Sequence, residues 1–235
     1  MISRSISSDG AEIVYYICGS GERKLLLLHG NGEDHTVFDC LCRDLSGNFT
    51  IITPDSRGHG VSERGPERLS VGAMVRDAEL IMRKEAPEGA DVIGFSDGGN
   101  ILLGLLARGL SKIDRAVLIG ANMRPDGLLT RVRIHDALCF IGSALLSGFS
   151  KKARKGCELL GLMIFEPNFI AEDFIAVDCP VLVLAGENDM IKEKHTREIA
   201  AAFKNSQLCI IKNADHFLLK SAYKDIFQRL KDFLR

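Results

Sequence analysis

Apolar and polar positions follow two periods along this chain. Residues 2 to 7 and 11 to 18 alternate at period two on either side of Asp9-Gly10, a dipeptide that tolerates the positive φ angles of a tight turn. They predict an antiparallel pair of strands at one edge of a sheet. Lys24-Leu25-Leu26-Leu27-Leu28 is apolar without alternation, the pattern of a strand covered on both faces. Thr36 to Leu45 predicts a helix, Phe49 to Thr53 a strand, and Val71 to Lys84 a helix with Met74, Val75, Ala78 and Ile81 on one face. A strand over Ala90 to Phe95, a helix over Asn100 to Leu110 and a strand over Ala116 to Ile119 follow. Strands and helices taking turns at this spacing predict an α/β fold, a mostly parallel sheet with helices on both faces.

The alternation then stops. From Asn122 to Asp178 no buried strand is visible, only helix-like stretches over Leu128 to Leu146, Lys151 to Leu162 and Ala171 to Ile175. It resumes with Pro180 to Ala185 (strand), Lys192 to Phe203 (helix), Leu208 to Ile211 (strand) and Leu218 to Leu234 (helix). The expected organisation is a core built from residues 1–121 and 179–235, interrupted by a helical cap at residues 122–178. A helical insertion set just after a strand end has the placement of a lid over a site.

Composition narrows the function classes. With 30 basic against 31 acidic residues the net charge is -1, so nothing recommends nucleic acid as a partner. Seven scattered cysteines without a C-x-x-C pair suggest free thiols in a reducing, cytoplasmic compartment and no zinc site. There is no signal peptide-like start and no apolar run long enough to span a bilayer. The apolar stretch Ala137 to Leu146 is suited to lining an acyl pocket, and the basic cluster Lys151-Lys152-Ala153-Arg154-Lys155 follows it. Such a pair can dock on an anionic membrane, but a solvated cap face is the default, so membrane association is not expected. A small-molecule partner is expected, and a homodimer is left open.

The chemistry centres on Gly94-Phe95-Ser96-Asp97-Gly98-Gly99, a serine on a strand-to-helix turn with glycines two residues to either side. Such a serine is held in a strained left-handed conformation with its hydroxyl exposed above the sheet. A hydroxyl becomes a competent nucleophile only beside a base, and the base works best when a carboxylate holds its tautomer. Functional groups of an open α/β sheet gather beyond the carboxyl ends of strands. His216, in Ala214-Asp215-His216-Phe217, follows the strand ending at Ile211 and is the candidate base. His29 and His59 sit among glycines in loops and are assigned to loop shape, while His35, His135 and His195 fall in helical or cap segments. Gly186-Glu187-Asn188-Asp189 follows the strand ending at Ala185; Asp189 is the candidate carboxylate, with Glu187 serving the loop and Asp215 pointing elsewhere. Backbone N–H groups of Asp97, at the start of a helix, and of Asn31, in His29-Gly30-Asn31-Gly32, are candidate donors to a developing oxyanion.

Together with Pro54-Asp55-Ser56-Arg57-Gly58-His59-Gly60-Val61-Ser62, these motifs in this order resemble the α/β-hydrolase superfamily along nearly the whole chain. The resemblance implies an eight-stranded, mostly parallel sheet with a helical cap inserted after strand 6, a Ser96, Asp189 and His216 triad, an oxyanion hole and no cofactor or metal. It also implies a structural role for Asp55 and Arg57. A serine at the nucleophile position excludes the dehalogenases and epoxide hydrolases of this fold, which use aspartate there. Esterases, thioesterases, lactonases, carbon–carbon bond hydrolases, perhydrolases and aminoacyl-ester hydrolases remain. The expected function is hydrolysis of a small, largely apolar ester or thioester, with carbon–carbon or aminoacyl-ester hydrolysis as alternatives and a non-catalytic receptor as the alternative outside enzymology. Asp97 has two readings: a carboxylate that favours a cationic substrate, or a helix-start acid satisfying backbone donors.

Overall fold

The computed structural model describes residues 1–235. In chain order the strands are β1 (Ile2–Ser8), β2 (Ala11–Cys18), β3 (Arg23–Leu28), β4 (Phe49–Pro54), β5 (Ala90–Phe95), β6 (Ile113–Ile119), β7 (Val181–Asn188) and β8 (Ser206–Asp215). The helices are α1 (Asp39–Leu45), α2 (Val71–Glu85), α3 (Asp97–Arg108), α4 (Thr130–Leu146), α5 (Lys151–Phe165), α6 (Glu193–Ala201), α7 (Leu218–Ser221) and α8 (Tyr223–Phe233). All eight strands join one sheet in the order β1-β2-β4-β3-β5-β6-β7-β8. β1 and β2 pair antiparallel, β2 meets β4 antiparallel, and every later pairing is parallel. The Asp9-Gly10 hairpin takes φ of 46° and 76°, as its sequence requires.

The run of leucines in β3 serves two cores at once. Leu26 and Leu28 enter one apolar cluster with α2 and α3. Leu25 and Leu27 enter another, on the opposite face, with α1 and α8. That two-sided burial is why the strand shows no alternation.

Four boundaries differ from the periodicity. Thr36 to Leu45 divides into a 3-10 turn (His35–Phe38) and α1, because Asp34 caps Thr36 and starts the turn early. α3 starts at Asp97, directly after β5 and ahead of its first leucines. β8 runs on to Asp215, through polar residues beyond its buried centre. The last helix is broken at Ala222, whose φ of −133° is not helical.

Between β6 and β7 the chain forms the expected helical insertion. α5 sets Leu162 into the core, and α4 packs on α5 through Phe140 against Phe165, with ring centroids 5.5 Å apart and nearly perpendicular. No helix is long and apolar enough to cross a membrane, and all seven cysteines are unpaired.

The loop after β4 is pinned by a buried ion pair. Arg57 donates from Nε to Asp77 of α2 at 2.9 Å and from its terminal nitrogen to the other carboxylate oxygen at 2.6 Å; that nitrogen also donates to the Ser8 carbonyl at 3.1 Å. Asp55 accepts from the His35 and Val61 backbone N–H groups, each at 3.0 Å. Arg57→Ala leaves Asp77 buried without its cation, and we expect a loss of about 3–5 kcal/mol of unfolding free energy in urea titrations.

Candidate active site

The site begins with the turn between β5 and α3. Ser96 follows the strand directly and sits at φ 53°, ψ −119°, outside the range a side chain adopts without support. Its N–H donates to the Ile119 carbonyl at 2.8 Å, tying the strained residue to β6. The helix can start so abruptly because Gly98 has no Cβ: one there would overlap the Leu28 carbonyl at the end of β3.

His216 and Asp189 reach this serine from loops far away in sequence. His216 Nε2 lies 3.0 Å from Ser96 Oγ, and His216 Nδ1 lies 2.7 Å from Asp189 Oδ1. The carboxylate fixes the tautomer: Nδ1–H donates to Asp189, so Nε2 is left to accept from the serine hydroxyl. Asp189 is buried and held in turn by the Ile191 N–H, 3.0 Å from the same oxygen. The ring of Phe95 lies 5.3 Å from the imidazole and that of Phe217 5.7 Å. Gly120 closes the back of the site, since a Cβ there would come within 2.9 Å of His216 Cε1.

The loop carrying the other candidate donor sits against the same serine. A Cβ on Gly30 would lie 3.1 Å from Ser96 Cβ, so Asn31 follows immediately beside the elbow. The Asn31 N–H has no acceptor within the protein. Its side chain is occupied, with Nδ2 donating to the Leu159 carbonyl of α5 at 2.9 Å. The Asp97 N–H lies in the first turn of α3, where no helical acceptor exists. Both donors are therefore free for an oxygen bound at Ser96.

The remaining candidates divide as their positions suggest. His29, its pKa lowered by burial to about 4, donates from Nδ1 to the Gly30 carbonyl and accepts from the Ser56 N–H, each at 2.8 Å. His59 donates to the Arg57 carbonyl at 3.0 Å, and His195 accepts from the Met123 N–H at 3.0 Å. His35 pairs with Asp55 at 2.7 Å, and His135 is exposed on α4. Glu187 accepts from the Asn213 N–H at 2.9 Å, and Asp215 from the Phe217 N–H at 3.0 Å. None of these side chains enters the Ser96, His216 and Asp189 relay.

Two features go beyond the sequence reading. Asp97 does not satisfy backbone donors, so its reading as a simple helix-start acid is corrected. Its Oδ1 accepts from Asn100 Nδ2 at 3.1 Å, and its Oδ2 is buried with no partner. Asn100 is itself locked to Asn122, accepting from the Asn122 N–H at 2.9 Å. Burial pushes the Asp97 carboxyl up to about 6, against the opposing pull of Asn100 and His216. The only signal in the sequence was Asn100 three residues after Asp97, one turn along the same helix face. The second feature is Glu33, whose carboxylate lies 3.3 Å from the Gly30 N–H and whose pKa is raised by burial.

A family profile described as alpha/beta hydrolase fold matches residues 24–138. The mouse protein named serine hydrolase BPHL is 29% identical over 259 aligned residues, covering 99% of this chain and 86% of that protein. The chain belongs to the α/β-hydrolase superfamily. Solved structures agree on the fold. An enol-lactonase from Burkholderia xenovorans LB400 superposes with a TM-score of 0.81 at 19% identity, covering 98% of this chain and 99% of the other. A thermophilic esterase from Thermogutta terrifontis gives 0.80 at 20% identity, covering 100% and 98%.

In this α/β-hydrolase the raised carboxyl of Asp97 carries a stability cost. Its folded pKa of about 6 lies above the ordinary 3.8, so the folded state binds the proton more tightly and stability falls as pH rises between those values. Asp97→Asn removes the buried charge. At about pH 8 it is expected to raise the unfolding free energy by up to ~3 kcal/mol and to flatten that pH dependence. Denaturant titrations on either side of the transition check this; a less stable variant at the higher pH contradicts it.

Proposed function

We propose that this α/β-hydrolase cleaves small carboxylic esters or thioesters through an acyl-enzyme on Ser96. The observation that carries the reading is the continuous relay from the Ser96 hydroxyl through His216 to Asp189. His216 Nε2 takes the hydroxyl proton as Oγ bonds to the substrate carbonyl carbon. The carbonyl oxygen becomes an alkoxide facing the Asn31 and Asp97 N–H groups, and each such donor is worth roughly 3 kcal/mol of barrier. The tetrahedral adduct expels the alcohol or thiol, which leaves with the proton from His216. Water then gives a proton to His216 while its oxygen attacks the acyl carbon, and collapse returns that proton to Ser96 and frees the acid. Asp189 stabilises the imidazolium at both stages.

The helical insertion is read as the cap of this site. A cavity of about 340 Å³ lies among Leu128, Ala137, Met163 and Ile164, with Asp136 and Arg133 on its wall. No residue of the relay lines it; the link is indirect, through Leu128, which bridges Ile191, the residue whose N–H holds Asp189. Its lining supports a compact apolar substituent. Of the stretch Ala137 to Leu146, only Ala137 reaches this cavity, which narrows the acyl-pocket expectation.

A second reading, an aminoacyl or other cationic ester, is favoured by Asp97, the residue after Ser96, whose Oδ2 is buried without a partner. An ammonium group would supply the missing partner.

A fluorophosphonate probe should label the protein, and Ser96→Ala should abolish labelling and lower kcat/KM for p-nitrophenyl esters by about 10⁴-fold or more. Undiminished labelling of that variant would refute the nucleophile. Turnover of vinylogous diketones in place of esters would move the assignment to carbon–carbon cleavage, and saturable ligand binding with no turnover would move it to a receptor. For the cationic reading, a free aminoacyl ester should be preferred over its N-acetyl form by about ten- to hundredfold. That preference should fall as pH drops through about 6, where Asp97 takes up a proton, and vanish in Asp97→Asn. Equal turnover of the two esters at all pH values would exclude it.

A further inference from the structure

The outer helix of the insertion has its apolar side on the outside. Ile134, Leu138, Ile141 and Leu145 fall at spacings of four, three and four, so they form a single stripe along α4. They are 57, 65, 55 and 74% exposed, with Ile134 also bordering the cavity beside Leu128, and Phe149, at the turn into α5, is 93% exposed. The opposite face, turned inward, carries buried Asp136 and half-buried Phe140 and Ser143. A helix whose only neighbour is the body of the protein buries its aliphatic residues and exposes its acid; α4 does the reverse. Contiguous apolar surface of this kind marks an interaction face.

The charge around the stripe identifies what it meets. Between residues 130 and 157 the chain has six cations, Arg131, Arg133, Lys151, Lys152, Arg154 and Lys155, and one acid, Asp136. All six cations are exposed, whereas Asp136 is buried. Asp136 faces His135, and Glu158, the next acid along the chain, is taken by Arg64, so the six remain without acidic partners. Three of them, Lys151, Arg154 and Lys155, line a cleft of about 400 Å³ with Arg64, Leu69 and Glu158, and Lys151 follows Phe149 by two residues. An apolar ridge ending at an exposed aromatic, flanked by unpaired cations and a basic cleft, complements acyl chains beneath anionic headgroups. Self-association fits less well, because a two-fold pairing of these hairpins sets cation against cation.

We propose that the α4–α5 hairpin docks the protein on an anionic bilayer surface, with Leu145 and Phe149 entering the acyl boundary and the Lys151 to Lys155 cluster meeting phosphate headgroups. This departs from the solvated face expected from the sequence, because the exposure of the stripe became visible only in three dimensions. It is independent of the reaction at Ser96.

The test is co-sedimentation of the full-length protein with vesicles of phosphatidylglycerol mixed with phosphatidylcholine, against vesicles of phosphatidylcholine alone. Binding should favour the anionic vesicles by about tenfold or more and disappear at high salt. The double variant Leu145→Asp, Phe149→Asp should lose binding while keeping wild-type turnover of a soluble ester or, failing turnover, the wild-type melting profile. Lys151→Glu with Lys152→Glu should weaken binding about tenfold. Equal partition onto both vesicle types, absence of binding, or binding unaffected by the double variant would each overturn the proposal. So would a concentration-dependent dimer in sedimentation velocity that the double variant dissolves without any vesicle binding, which would assign the face to a second copy of the chain.

Discussion

The structure depends on one close approach, the start of α3 against the end of β3. Gly98 must pass the Leu28 carbonyl with no side chain between them, and Gly94 must likewise pass the Gly98 carbonyl. Only then can the helix begin one residue after the strand and leave Ser96 at φ 53°. The strain at that residue is local, and the sheet around it makes it affordable: the Ser96 N–H is held by β6, and β5 is buried along its whole length. The positive end of α3 then lies at Ser96, its N-cap residue. The position of Ser96 and the direction of α3 are thus one consequence of two missing Cβ atoms.

The partners arrive by sheet topology. β7 and β8 run parallel to β5 on one side of it, so their carboxyl-terminal loops open at the same sheet end and bring Asp189 and His216 to the serine. β3 lies on the other side of β5, so the loop holding Asn31 approaches from there. The histidines that stay outside the relay are not idle. His29, His59 and His195 each hold a backbone group of the loops that frame the site. Burial keeps all three below their usual pKa, which suits neutral rings that donate at one nitrogen.

Much of this was legible in the sequence because it is one-dimensional in origin. Alternation, the unbroken leucines of β3, the Asp9-Gly10 turn and the glycines around Ser96 are local statements about backbone and burial. Strand ends order the loops, so His216 and Asp189 could be selected from several candidates. What was not legible depends on which way a face turns. The sequence marked Ala137 to Leu146 as apolar and so suited to a pocket, yet most of the large residues in it point away from the core. Periodicity locates a stripe on a helix; it does not say whether the protein or something else covers it. Asp97 was left with two readings for the same reason, since only the fold reveals that Asn100 reaches one of its oxygens and nothing reaches the other.

These departures share a physical logic. Folding alone rewards apolar residues inside and acids outside, and most of this chain complies. Asp97 is buried with an unpaired oxygen, Asp136 likewise on the inner face of α4, and the aliphatic stripe of that helix stands in solvent. Each lowers the stability of the isolated monomer, and none is needed to close the sheet or to seat Ser96. Places where local choices conflict with the demands of the fold are where a protein meets something other than itself. Here they lie in two regions, one next to Ser96 in the chain and one on the helical insertion between β6 and β7. Asn31 joins the two, with its backbone beside the elbow and its side chain on the Leu159 carbonyl of α5.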